Sequence, residues 1–418
     1  MKDKLIKLGA IAFAMTTPLS LFACGDPKPN GDNSDPPDPP VEEWTIPQGS
    51  WSHSDRIMYV RDLGYCTGEK AFVDTSEYNM TGTDLGFSFY DDELKRLYVS
   101  FGDTNNNKVQ GGGNEFQSNV TLYTDNLDFT SGIKWTGALA GQNGASRQVT
   151  PLAHRIAAQN QKYWGNVAMG DVTNSNVIST IPTGALCLNG TYYIWYMEVR
   201  GEFEATGEWS VYRNCVVKSE DKGVTWTKVQ GLDWVCYDSS EQEGIAPNFG
   251  QICPLDGNDG YVYIYGIPGG RSGGVKLGRV AYDRIEDFES YEYYRSQDAD
   301  GNVDWRKGSN GLRSIKAQSS SYIVAPMCGE ISVCYNPYLR RFVMTYLQGN
   351  TSIVIRRSSK PWGKWSDSDV IMNQSDMNGL YGGFGNSALM THDGKRMYLF
   401  VSEWYPAYNV HFVEVVFN

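Results

Sequence analysis

Five times along the chain a polar turn leads into a run where aromatic and β-branched residues alternate with smaller or polar ones. The runs are Lys95–Phe101, Gly190–Tyr196, Gly260–Tyr265, Arg341–Tyr346 and Lys395–Phe400. Period-two patterning rich in Tyr, Val and Ile is the signature of a half-buried strand, and no long segment places apolar residues at helical spacing. A partner strand follows each run: Asn119–Tyr123, Asn214–Lys218, Val275–Ala281, Ser352–Arg356 and Asn409–Val416. A shorter strand containing or flanked by Gly precedes each: Gly82–Phe87, Thr180–Leu186, Asn248–Cys253, Gly329–Cys334 and Gly382–Ala388. Four of the units continue through a turn to an aromatic segment, near Trp135, Trp226, Tyr293 and Trp365. About four strands per unit, repeated five times, predicts an all-β fold, a five-bladed β-propeller over residues 45–418; a two-sheet sandwich is the alternative. The fifth unit reaches Asn418 without an outer strand, and Arg56–Leu63 is expected to supply it, closing the ring and removing a free edge.

Ser219-Glu-Asp221-Lys-Gly223-Val-Thr225-Trp226 matches the Asp box, S-x-D-x-G-x-T-W. In this box Asp caps the amides of a hairpin, Gly takes the special turn conformation and Trp packs between blades. It is a structural motif that recurs in sialidases and in unrelated propellers, so it does not assign an activity. Ser358–Trp365 occupies the equivalent place in the fourth unit without the Asp.

Residues 1–44 read as an address and a tether. Lys2, Lys4 and Lys7 precede a short apolar run that ends in Leu21-Phe22-Ala23-Cys24. This is the pattern of a secretory signal over 1–23 rather than a membrane span. Leu-x-Ala-Cys resembles the bacterial lipobox, which implies cleavage before Cys24 and lipid on its sulfur. Residues 24–44 carry Pro, Asp, Gly and Asn and cannot build a core, which suits a stiff spacer. An exported lipoprotein of the outer membrane and cell surface is expected, touching membrane only through its lipid. With 36 Lys and Arg against 48 Asp and Glu the net charge is −12, which argues against sequence-independent binding of nucleic acid. Seven cysteines follow Cys24, none in a CxxC pair, and only four His are present, so a zinc site is not expected. An odd number leaves at least one thiol unpaired; the pairing of the others is open. No motif supports a structural Ca²⁺, no cofactor is required, and a monomer is expected.

In a propeller the first strand of each blade lines the central channel, so acids there are candidates for chemistry. Asp84 lies on the first strand of unit one, Glu330 on that of unit four, and Asp103 ends the second strand of unit one. Asp84 and Asp103 therefore lie on neighbouring strands at one mouth. Glycoside hydrolysis needs such carboxyls: one protonated for the leaving oxygen, the other ionised to activate water or attack the sugar. The plain alternatives are turn capping for the two Asp and a buried, hydrogen-bonded role for Glu330. Trp164, Tyr381, Trp404 and Tyr405 lie near strand ends, where sugar rings could stack on them. Gln251 and Arg271 are candidates for contact with hydroxyls, and Arg271 in Gly269–Gly274 could equally face solvent. No G-x-S-x-G elbow and no strand–loop–helix phosphate motif is present.

Taken in order, Gly82-Thr-Asp84-Leu-Gly86, Phe101-Gly-Asp103-Thr104, the Asp box, Gly329-Glu330, Pro361-Trp362-Gly363-Lys-Trp365-Ser366, Leu380-Tyr381-Gly382-Gly383 and Tyr408-Asn409-Val410 form a set. The set resembles a bacterial domain family once described only as of unknown function, whose members are recognised as endo-D-arabinanases of glycoside hydrolase family 183. The resemblance runs from about residue 55 to 418. It implies a five-bladed propeller that cleaves inside D-arabinan, the polymer of mycobacterial arabinogalactan and lipoarabinomannan, with inversion. It implies two catalytic aspartates, which map onto Asp84 as base and Asp103 as acid, with Glu330 tuning a pKa or holding a hydroxyl. Other five-bladed arabinan-cleaving propellers place a Glu on a later blade as acid, which keeps the opposite assignment open. L-arabinan as substrate, a non-catalytic glycan-binding lipoprotein and, third, a sialidase are the rival readings. Residues 138–177, rich in Asn and Gln, are expected to form a lid or subsite wall.

Overall fold

Strand propensity concentrated in the five aromatic runs produces five separate antiparallel sheets. The computed structural model describes residues 45–105, 116–139, 177–200, 210–237 and 243–418. The leader, Cys24 with its tether, Trp164 and most of 138–177 lie outside the described residues.

Blade one pairs Leu85–Asp91, Arg96–Phe101, Val120–Thr124 and Gly137–Ala138 in that order. Blade two is Val177–Leu188, Thr191–Arg200, Ser210–Ser219 and Thr227–Val235. Blade three has five strands, Gln251–Asp256, Tyr261–Ile267, Lys276–Ala281, Glu292–Gln297 and Val303–Lys307, followed by the short helix Gly308–Ile315. Blade four is Cys328–Asn336, Arg341–Gln348, Ser352–Ser358 and Asp369–Asn373. Blade five is Leu380–Phe384, Arg396–Glu403, Asn409–Phe417 and, from the other end of the chain, Ile57–Tyr65. The first strands of neighbouring blades touch in a closed circuit, blade one to two, to three, to four, to five and back to one. The fold is a five-bladed β-propeller, and the borrowed outer strand begins one residue later and ends two residues later than its pattern suggests.

Closure has identifiable bonds. Ile57 to Tyr65 runs antiparallel to Phe417 to His411. Arg61 and Arg396 both pair with the fully buried Glu414, at 2.9 and 3.3 Å. His411 on the last strand bonds Asp62 on the borrowed strand at 2.9 Å and approaches Glu403 at 3.4 Å. Burial opposes charge on this imidazole, but the two carboxylates outweigh it and lift His411 to about 9.

Between blades the core is aromatic. Phe400 of blade five packs 6.1 Å from Phe101 and stacks 6.2 Å from Trp135 of blade one. Rings of this size contribute about 1.5–3 kcal/mol each on full burial. The Asp box behaves as its composition requires. Asp221 accepts from the Thr225 amide at 2.8 Å, Gly223 takes φ +86°, and Trp226 is buried beside Tyr192. All seven cysteines after Cys24 are free thiols, and six of them are buried.

Candidate active site

The chain enters blade one along a path that a regular strand would not take. Leu85 has φ +65° and its amide donates to Ser402 Oγ of blade five at 2.8 Å. Gly86 follows at φ +148°, where a Cβ would run into Phe400. A register shift between Leu85 and Phe87 marks a β-bulge, a device that re-aims a side chain. Asp84 thus sits just before the strand rather than on it, because Ser402 holds Leu85 out of line. Its carbonyl accepts from the Gly102 amide at 2.9 Å. Its carboxyl fills the space a side chain at position 102 would need. Asp103 is the next residue, in the turn after Phe101. The two aspartates stand on adjacent segments, close enough for the charge of Asp84 to act on Asp103.

Their partners differ. Asp84 Oδ2 accepts from the Tyr381 hydroxyl at 2.8 Å, and the Tyr408 hydroxyl acts on the same carboxyl. Asp84 Oδ1 is buried and has no hydrogen-bond partner. Asp103 Oδ1 accepts from Ser179 Oγ of blade two at 2.5 Å. Burial raises Asp84 to about 7, with Glu330 adding to the rise while Tyr381, Tyr408 and Arg271 oppose it. Burial also raises Asp103 to about 8, reinforced by the negative charge of Asp84 and opposed by Ser179. Desolvation disfavours each anion, and each anion disfavours the other.

Glu330, 4% exposed, is held by Arg271: Nε lies 3.0 and 3.1 Å from its two oxygens, and a second guanidinium nitrogen lies at 2.8 Å. Arg271 therefore does not hang free on its loop, although its side chain remains 31% exposed. Its guanidinium also lies 5.0 Å from the centroid of the Tyr381 ring. Glu330 takes the buried, paired role, and its charge is felt at Asp84. Gln251, 3% exposed, donates to the Gly270 carbonyl at 3.2 Å, so it secures the loop that carries Arg271.

Trp404 and Tyr405 are each 55% exposed, with ring centroids 5.9 Å apart. The Trp404 amide donates to Gly379 O at 2.9 Å, two residues before Tyr381. The pair forms a solvent-facing aromatic edge next to the segment that carries Tyr381. Tyr408 and Ser179 had no distinguishing signal as site residues, although Tyr408 lies in one of the ordered motifs. Among the described residues no three His, Cys, Asp or Glu side chains form a set able to hold a metal ion, and no helix is long and apolar enough to cross a membrane.

Known proteins resemble this chain at several levels. "Notoamide biosynthesis cluster protein J" of Aspergillus sp. (strain MF297-2) is 25% identical over 347 residues, 80% of this chain and 82% of the relative. A crystal structure from Bacteroides ovatus ATCC 8483 superposes with a TM-score of 0.52 at 14% identity, covering 90% of this chain and 96% of that one, and shares the fold. Zg3597, a family 117 glycoside hydrolase produced by the marine bacterium Zobellia galactanivorans, gives a TM-score of 0.46 at 10% identity, over 85% of this chain and 90% of that one. With a family model matching residues 71–414, both aspartates and strands of all five blades included, the chain belongs to the family described as "Domain of unknown function (DUF4185)".

Proposed function

We propose that the chain is an inverting glycoside hydrolase that cuts internal α-D-arabinofuranosyl linkages of arabinogalactan- or lipoarabinomannan-type arabinan, and that it needs no cofactor. The observation that supports this best is the pair of desolvated carboxyls on adjacent segments, with Asp103 placed to feel the charge of Asp84. Asp103, the harder to ionise, carries the proton at neutral pH and gives it to the leaving glycosidic oxygen. Asp84, with hydroxyl donors on its charge, serves as the ionised partner and takes a proton from water. Water then attacks the anomeric carbon as the C–O bond breaks on the opposite face. Asp84 ends protonated and Asp103 ionised, and exchange with solvent resets both. Trp404 and Tyr405 stack neighbouring sugar rings of the polymer. The molecule acts as a monomer on the cell surface, tethered to the outer membrane by lipid on Cys24.

Purified D-arabinan and L-arabinan are digested in parallel and the products sized. Oligosaccharides of several lengths from D-arabinan alone are expected; release from L-arabinan alone supports the L-arabinanase reading. Asp84→Asn and Asp103→Asn are each expected to abolish product release, about 10²–10⁴-fold or more, with strand circular dichroism unchanged. Full activity in both variants rejects the assignment. Wild-type protein that binds D-arabinan without cutting it is a glycan-binding lipoprotein instead.

A further inference from the structure

Asp84 and Asp103 are the same side chain at the same mouth, yet the hydrogen bonds around them are unequal. Asp84 has the Tyr381 hydroxyl at 2.8 Å and Tyr408 acting beside it, both from blade five. Asp103 has Ser179 of blade two. A phenol is a stronger donor than an aliphatic hydroxyl, and donation to a carboxylate favours its ionised form. Tyr381 is strengthened further. The Arg271 guanidinium lies 5.0 Å from its ring centroid, and a cation over a ring draws electron density from the phenol. Arg271 is fixed there by its forked contact with Glu330.

We propose that Tyr381 and Tyr408 are positioning residues that set the polarity of the pair: they make Asp84 the base and leave Asp103 to be the acid. Arg271 and Glu330 support Tyr381 from blades three and four. The charged and titratable groups facing Asp84 are then Asp103, Glu330, Arg271, Tyr381 and Tyr408. Glu330 alone would push the Asp84 proton on. Paired with Arg271, it serves to hold a cation against the Tyr381 ring. This inference rests on the hydrolase reading for its kinetic consequences, but the hydrogen bonds exist whatever the substrate.

The test compares wild type, Tyr381→Phe, Tyr408→Phe and the double variant on D-arabinan across pH 5 to 10. In wild type the acidic limb of kcat/KM follows ionisation of Asp84. Each Phe variant is expected to move that limb to higher pH by about one unit, and the double variant further, with KM nearly unchanged and activity partly recovered on the alkaline side. A loss by one constant factor at every pH, with the limb in place, is what a merely structural role gives, and it overturns the proposal. A second measurement needs no turnover. Infrared difference spectra against Asp84→Asn follow the Asp84 carboxyl through its titration. The band should titrate at higher pH in Tyr381→Phe than in wild type. An unmoved band overturns the proposal even if the protein cuts no arabinan. A moved band in a protein without turnover sinks the hydrolase reading while the positioning role stands.

Discussion

Asp84 and Asp103 ionise less readily in the folded protein than in an unfolded chain. Both pKa values are raised above the unfolded value near 3.8, so the folded state binds these protons more tightly. Stability from the two groups is therefore fully present below about pH 3.8 and is lost as pH rises through about 7 and 8. Asp103→Asn removes part of that loss. It should melt higher than wild type at pH 8, by about 1–3 kcal/mol, and nearly level with it at pH 4. Calorimetry at the two pH values checks this; a variant less stable than wild type at pH 8 would show that Asp103 is not strained in its ionised form. That Asp84 and Asp103 stand close together was legible because one precedes and the other follows the first hairpin of unit one. Ser179 and Tyr408 were not. One is an ordinary polar residue at a strand start, and the other is one Tyr among 27. Their importance comes from neighbours more than seventy positions away in the chain.

Register shifts near the mouth recur from blade to blade. They interrupt the first strands of blades one, two, four and five between Leu85 and Phe87, Val177 and Ser179, Cys328 and Ile331, and Tyr381 and Gly383. Asp84, Ser179, Glu330 and Tyr381 lie within or beside those shifts. In blade three the first pairing runs without a shift, and its Gln251 holds a loop instead of facing the carboxyls. Gly329 and Gly382 adjoin Glu330 and Tyr381, and Gly86 follows Asp84 by two residues, so the sequence carried a mark of the bulges. It carried less about their extent. The first strand of blade one starts at Leu85 rather than Gly82, because long-range bonds from blade five decide where its ladder begins. A second element-scale test concerns the clasp. His411 contributes stability that is present below its unfolded value near 6.5 and lost as pH passes about 9. His411→Asn should lower stability at pH 7 by roughly 2–4 kcal/mol, and the gap to wild type should narrow above pH 9. A gap constant with pH would assign the loss to packing alone.

Viewed whole, the ring brings together what no blade holds by itself. Asp84 and Asp103 come from blade one, Ser179 from blade two, Arg271 from blade three, Glu330 from blade four, and Tyr381 and Tyr408 from blade five. Repeat patterning made the five blades and their closure legible, since each unit needs only local alternation and a turn. Which loops meet at the mouth depends on the angle between blades, which alternation does not encode. Deleting residues 46–65 strips the borrowed strand from Asn409–Phe417, whose nine residues are all buried. The bare edge should then drive self-association, seen as a shift to large species in size-exclusion chromatography; a well-behaved monomer would mean the borrowed strand is dispensable.

The borrowed strand also sets a timetable. A ribosome delivers Asp84 and Asp103 before Tyr381, Tyr408 and the partner edge for Ile57–Tyr65, which emerge only after blades two, three and four. Until then the opening segment has nothing to dock on and Asp84 lacks its tyrosine donors. A copy cut short before Leu380 lacks both the clasp and those donors, and both are supplied by the same stretch of chain.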